Sequence, residues 1–364
     1  MTPGAVIGLF TALGIVFASI GAVILGLSAA TPEFWFDYTD CLAKAGTDFT
    51  PAGNGFAWKK VGDNTCILQF TLDKSLAAPV FLYYRLTGFY QNNRTYVKSV
   101  NWSQLGGAAL TKDQLDSCAP LIGPDSGSNL PYYPCGLIAN SMFSDEIGPL
   151  QSGNTTYIFT DKGIAWSSDL SRFQPTAYSR EQVLVPPAWA KARPELVETS
   201  TGLYRGSIPD LSQNERLMVW MRTAAFPSFR KTWGRLDAEV PAGTYTMAIR
   251  ESFDVSGFKG TKTVILGKTG AIGGRNIALG IIYVACGALF LALALAFLTK
   301  QCIRPRIQAD RRYLSWAARP SGSSPRSEDS QSPSEKSPEV IDPDALVEQV
   351  NVPPSQQESQ TISL

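Results

Sequence analysis

At 364 residues and a formal net charge of +1, the chain is long enough for two ordinary domains, and no nucleic-acid partner is expected. It contains no histidine. That excludes Ser-His-Asp and Cys-His catalysis, the HExxH zinc site and any imidazole base.

No Asp, Glu, Lys or Arg precedes Glu33, and residues 4–30 are apolar apart from Thr11, Ser19 and Ser28. At about 1.5 Å per residue the run makes a helix of roughly 40 Å, enough to cross a bilayer core with tilt. Ser28 and Ala30 would suit a signal-peptide cleavage site, but there is no basic leader, and the run exceeds the roughly 7 to 15 apolar residues of a signal core. Residues 4–30 are therefore read as an uncleaved transmembrane helix behind a cytoplasmic stub, 1–3. Small residues recur at every fourth position, as Gly4, Gly8 and Ala12, then Gly14, Ala18, Ala22, Gly26 and Ala30. Such ridges let a second helix approach closely where lipid removes the hydrophobic driving force. Gly4, Gly8, Gly14, Ala18, Ala22 and Gly26 are the candidate packing residues.

Residues 31–276 read mostly as strands between Gly, Pro and Asn turns. Cys66, Leu68, Phe70 and Leu72 alternate with Thr65, Ile67, Gln69 and Thr71, and Tyr245, Met247 and Ile249 alternate with Thr244, Thr246, Ala248 and Arg250. The segment 80–86 is rich in β-branched and aromatic residues. The expected fold is a mainly-β, antiparallel, sandwich-like domain with helical and loop extensions, flanked by two transmembrane helices. Cys41, Cys66, Cys118 and Cys135 all lie here, an even number as a disulfide framework requires. Four cysteines allow three connectivities. The local pairs Cys41 with Cys66 and Cys118 with Cys135 are preferred, each closing a loop worth about 3 kcal/mol in the chain-entropy model. Metal binding is the rival, but no CxxC occurs and histidine is absent. Asn-x-Ser/Thr sequons at Asn93, Asn101 and Asn154 are candidate glycosylation sites.

Residues 277–299 form a second uncharged run of spanning length, with a shorter small-residue ridge at Ala288, Ala292 and Ala296. Lys300, Arg304, Arg306, Arg311, Arg312 and Arg319 follow it against the single acid Asp310, whereas only Lys268 and Arg275 lie close before it. The positive-inside rule places this end in the cytoplasm, and two spans put the N-terminus there too. The domain of 31–276 then faces the lumen or the outside, the oxidising side its cysteines favour. The basic segment 300–319 is expected against anionic membrane lipid. The Pro- and Ser-rich tail 320–364 carries too little apolar surface to fold and is expected to be disordered.

Chemistry is sparse. Gly267, Lys268 and Thr269 mimic the end of a phosphate-binding loop, but Lys262 stands where its first Gly belongs. The DKTGT phosphorylation motif of P-type pumps is absent, and nothing pairs two acids for glycosidase work. No enzyme, cofactor or metal is expected.

Four blocks carry a resemblance: FYQNNRTYVKSVNWSQLGG at 89–107, PCGLIANSMFSDEI at 134–147, VWMRTAAFPSFRKTWG at 219–234 and SGFKGTKTVILGKTGAIGGRNIALG at 256–280. In this order the chain resembles the accessory, or beta, subunits of type IV P-type ATPases, the cell division control protein fifty and ligand-effect modulator three family. The resemblance implies a non-catalytic subunit that pairs with a catalytic alpha subunit in the endoplasmic reticulum and moves with it to Golgi, endosomes or plasma membrane. It implies that the pair carries phospholipid from the exoplasmic to the cytoplasmic leaflet. An autonomous surface receptor or adhesion module of the same topology is the alternative. Within the blocks, Trp220, Phe226, Phe229 and Trp233 read as core residues, with Pro227 breaking a strand and Gly273 and Gly274 turning the chain into the membrane. Relatives usually carry a longer segment before the first span, two more cysteines in the first cysteine region, and a sequon where Asp145 and Glu146 stand here.

Overall fold

The structure, a computed structural model, describes residues 2–53, 55–125, 127–268 and 274–305. The tail, the basic segment beyond Pro305 and Gly273 lie outside the described residues.

The N-terminal helix spans Pro3–Ala30. Proline at its first position costs no hydrogen bond, and the Thr2 hydroxyl accepts from the Ala5 amide at 3.2 Å. Its hydroxyls bond back to the helix, Thr11 to the Ile7 carbonyl and Ser19 to that of Ile15, each at 2.8 Å. Neither hydroxyl is thus left to face hydrocarbon unpaired. The C-terminal helix spans Ile277–Ile303 and starts on an Asn276 cap, whose side chain accepts from the Leu279 amide at 3.0 Å. It outlasts the uncharged run because Lys300, Gln301 and Cys302 are all compatible with a helix, and it ends just before Pro305.

Between the helices the described residues form β1 (Glu33–Asp37), β2 (Thr50–Gly53), β3 (Phe56–Val61), β4 (Thr65–Leu72), β5 (Val80–Leu86), β6 (Glu146–Ser152), β7 (Thr155–Tyr157), β8 (Phe229–Leu236), β9 (Gly243–Arg250) and β10 (Lys262–Lys268). Antiparallel pairing arranges them in a four-stranded sheet, β1-β10-β5-β8, and a six-stranded sheet, β2-β3-β4-β9-β6-β7. The strands adjoining the two helices pair directly, Glu33 opposite Gly267 and Asp37 opposite Thr263. The paired helices therefore continue into paired strands.

Alternation in the sequence becomes alternation in burial. Cys66, Leu68, Phe70 and Leu72 of β4, Leu82, Tyr84 and Leu86 of β5, and Tyr245, Met247 and Ile249 of β9 all enter one core. The sheets meet through Phe36 of β1 and Phe70 of β4, whose rings stack at 4.0 Å between centroids. Each such side chain contributes about 1.5 to 3 kcal/mol relative to exposure. The connections between β5 and β6 and between β7 and β8 carry short helices that close one end of the core. There Trp220, on the helix Glu215–Met221, is fully buried and donates its indole N–H to the Ile138 carbonyl at 2.7 Å. Trp189 does the same to the Ala139 carbonyl at 2.9 Å. Trp233 is also buried and Phe229 half-buried, but Phe226 is 74% exposed. The core reading fails for Phe226 because it sits in the turn before β8, outside the pleat that directs Phe229 and Trp233.

Candidate partner-binding surfaces

The two long helices pack along their length through small residues. A Cβ on Gly14 would stand 2.7 Å from Leu291 Cδ2, one on Gly21 2.7 Å from the Val284 amide nitrogen, and one on Gly280 2.7 Å from Leu25 Cγ. One on Gly287 would meet the Ala18 nitrogen at 2.7 Å. Phe10 and Phe17 fill the intervals, lying 5.9 and 5.5 Å from Phe290 between ring centroids. Gly14 and Gly21, like Gly280 and Gly287, are one heptad apart, the period that keeps residues on one seam of a left-handed pair.

The expected ridge is therefore split. Gly14 and Ala18 lie in the seam, whereas Gly4, Gly8 and Gly26 have nothing within 4 Å of an added Cβ, and Ala22 is exposed. Ala288, Ala292 and Ala296 also point outward, and Gly280, Gly287 and Ala294 are the buried residues of the second helix. Gly21, Gly280 and Gly287 of the seam fall outside the four-residue ridges of the sequence. A seven-residue period picks them out.

Where helices meet sheet, the junction is polar and tight. Glu33, the first charged residue of the chain, has its side chain 2% exposed and accepts from Arg230 Nη1 at 2.8 Å and from the Arg275 amide at 3.2 Å. The ion pair joins β8 to β1 across β5 and β10. Ile265 of β10, opposite Trp35 of β1, is fully buried. The Ser28 hydroxyl accepts from the Asn276 amide at 3.4 Å, tying the end of one helix to the start of the other.

A second polar cluster lies inside the domain. Lys262 Nζ donates to Asp145 Oδ2 and Glu251 Oε2, both at 2.8 Å, and to the Phe253 carbonyl at 3.1 Å. Asp145 also accepts from the Tyr38 hydroxyl at 2.9 Å and from the Ser252 and Phe253 amides at 2.6 Å. Burial first, then the Asp145 carboxylate, raises the Tyr38 phenol well above its usual range. Burial likewise raises Glu251, with Lys262 opposing. Glu251 Oε1 is buried without a hydrogen-bond partner among the described residues. Nothing in the sequence singled out Asp145 except that it stands where a sequon is usual.

The structure joins Cys41 to Cys66, Cα atoms 6.1 Å apart, and Cys118 to Cys135, Cα atoms 5.7 Å apart. Glu251 lies against the first bridge, but disulfide sulfurs carry no thiolate, so the trio is a poor metal site. Asn93 and Asn101 cap one-turn helices by accepting from the Thr95 and Gln104 amides at 2.9 and 2.8 Å. Asn101 also donates to the Ser117 hydroxyl at 3.0 Å, while Asn154 is exposed in the turn between β6 and β7. Lys231 is buried, and its ammonium donates to the carbonyls of Val219, Trp220 and Arg222 at the end of the helix Glu215–Met221. Burial, with the Arg222 guanidinium beside it, pulls that group down to about 7.

Buried acids elsewhere are likewise spent on structure. Glu215 accepts from the Ile164 and Ala165 amides at 2.8 and 2.9 Å, and Asp169 pairs with Arg222. Three exposed or partly exposed tryptophans lie under cations, Trp166 under Arg222 at 3.8 Å, Trp35 under Arg85 at 5.4 Å, and Trp102 under Arg172 at 5.5 Å. Exposed aromatic and Arg side chains of this kind are enriched at protein contacts.

Paired apolar helices continuing into a disulfide-bonded antiparallel domain, with its buried charges held in structural networks, define a membrane protein built for association rather than for chemistry. The chain belongs to the LEM3 (ligand-effect modulator 3) / CDC50 family, whose model matches residues 24–307. It is 34% identical over 340 residues to a Saccharomyces cerevisiae protein named phospholipid-transporting ATPase accessory subunit CRF1, covering 87% of this chain and 84% of that one. It is 34% identical over 325 residues to ALA-interacting subunit 3 of Arabidopsis thaliana, with 88% and 87% covered. With cell cycle control protein 50A of Bos taurus the identity is 35% over 302 residues, covering 78% and 79%.

Proposed function

We propose that this chain is the non-catalytic accessory subunit of a phospholipid-translocating P-type ATPase. It would assist the folding of the catalytic subunit, its exit from the endoplasmic reticulum and its transfer of phospholipid from the exoplasmic to the cytoplasmic leaflet. The observation that carries this reading is membership of the family over residues 24–307, which take in the end of the first helix, the whole domain and the second helix, together with relatives named as accessory subunits of such ATPases. Both termini face the cytoplasm, the domain of 31–276 faces the lumen or the exterior, and Asn93, Asn101 and Asn154 are its candidate glycan sites.

The outward ridge of Gly4, Gly8, Ala22 and Gly26 is left unused by the second helix and suits close approach by a helix of the catalytic subunit. ATP, magnesium and the phosphorylated aspartate belong to that partner. A subunit that favours particular states of the pump must contact those states differently, since equal binding shifts nothing.

Co-expression with a cognate ATPase and purification in mild detergent test the reading. The pair should co-purify and show lipid-stimulated ATP hydrolysis that is lost when the partner's phosphorylated aspartate is replaced, and this chain alone should hydrolyse nothing. Arrival at the cell surface unaided, with no ATPase in the mild-detergent eluate, would make the receptor reading the better one.

A further inference from the structure

At the end of the helix pair away from the β domain, the first turns of the N-terminal helix and the last turns of the C-terminal helix flank a groove of about 220 Å³. Its walls are apolar, formed by Val6 and Ile7 on one side and Phe297 on the other. Phe297 is held there by stacking on Phe10, with centroids 5.8 Å apart. At the rim stand Lys300, Gln301 and Arg304. A second, shallower furrow along Leu295, Ala296 and Thr299 leads to the same Lys300 and Arg304.

Neither cation has an ion pair or a side-chain hydrogen bond among the described residues, although the ectodomain arginines Arg222, Arg230, Arg235 and Arg250 all pair with carboxylates. A Lys or Arg in the last helical turn favours the helix dipole, which accounts for charge there but not for an apolar groove ending beneath it. An apolar wall below two unpaired cations suits a ligand with an acyl chain and a net negative headgroup, and in a membrane that is an anionic phospholipid.

We propose that this groove binds one anionic phospholipid, an acyl chain lying between Val6, Ile7 and Phe297 and the phosphate on Lys300 and Arg304. Its assignment to the cytoplasmic leaflet rests on the topology proposed above; the site itself does not. Such a lipid would hold the helix ends at a fixed spacing beside the outward ridge at Gly4 and Gly8, making docking of a partner helix sensitive to the charge of the surrounding leaflet.

The test is native mass spectrometry of the full chain in detergent, with added phosphatidylserine or phosphatidylcholine of identical acyl chains. Phosphatidylserine should be retained preferentially, by about fivefold for each basic residue engaged. Lys300→Gln with Arg304→Gln should remove the preference. Ile7→Trp, which fills the groove and keeps both charges, should reduce retention of both lipids. Trypsin resistance of the disulfide-bonded domain checks that each variant is folded. Equal retention of the two lipids by the unaltered chain, or undiminished preference in the double variant, would overturn the proposal. Displacement by water-soluble glycerophosphoserine would also overturn it, by reducing the groove to a plain anion site. Micelles have no sides, so a C-terminal tag found in the lumen of sealed microsomes would overturn the leaflet assignment alone and leave the retention result standing.

Discussion

The helix pair and the β domain are held together by opposite means. In the domain, large side chains leave water, and Trp220, Leu68 and Tyr245 stabilise by sheer buried area. In the helix pair, many large side chains point outward, Leu9, Ile15 and Val23 among them, and glycines set the closest approach, with Phe10 and Phe17 filling the gaps. Leucine gains nothing by leaving lipid for another helix, so association depends on how closely two backbones approach. A core tolerates moderate changes of volume, whereas the seam tolerates almost no added atom.

The largest effect is expected where the domain departs from its own rule. Lys262→Met leaves Asp145 and Glu251 buried without their cation and should cost about 3 to 5 kcal/mol. Thermal unfolding of the purified chain, followed by tryptophan fluorescence, should fall sharply or the protein should fail to accumulate. Trp220→Ala, an ordinary core truncation, should cost a similar 3 to 5 kcal/mol by leaving a cavity. A Met variant as stable as the parent would mean that the cluster carries no charge.

The seam provides the sharpest contrast. Gly287→Leu would drive a side chain into the backbone of Ala18 and should split the helices, measurable as lost cross-linking between cysteines placed at their exposed ends. Gly8→Leu meets open space and should leave that cross-linking intact while weakening co-purification with an ATPase. Equal effects of the two on cross-linking would erase the distinction between seam and outer ridge.

Replacing Cys118 and Cys135 together by Ser should cost about 3 kcal/mol through the freed loop. Peptide mapping without reductant should find Cys41 linked to Cys66 and Cys118 to Cys135. Crossed pairs would remove the local framework.

The smallest effect is a dependence on pH. Glu251 has a folded pKa above its ordinary 4.5, so the folded state holds the proton more tightly than the unfolded one. Its contribution to stability is fully present below 4.5 and is lost as pH rises through the elevated folded value. Lys231, lowered to about 7, acts in the opposite sense, losing its contribution as pH falls through 7. The two are separated by difference: Glu251→Gln should be stabilised relative to the parent at alkaline pH, and the gap should close on acidification. A gap independent of pH would assign the elevated pKa elsewhere.

What the sequence determined by itself was whatever depends on local pattern. Two uncharged runs specify two long helices, because backbone groups in lipid must be satisfied within their own segment. Period-two burial in β4, β5 and β9 was legible because one face of each strand meets the core. β10 was not, because Glu33 and Arg230 close over its outer face, and a strand buried on both faces shows no alternation. Tertiary structure alone decided the rest. The seam runs through Gly21, Gly280 and Gly287 rather than along the four-residue ridges, because only the facing helix says which stripe is covered. Asp145, Glu251 and Lys262, scattered along the chain, become one network only when β10, the strand end at Arg250 and the loop before β6 converge. Phe226 left the core for surface because its place in a turn, not its hydrophobicity, set its direction. Hydrophobic period is a property of neighbours along the chain, whereas the partner of a charge or a glycine is chosen by neighbours across it.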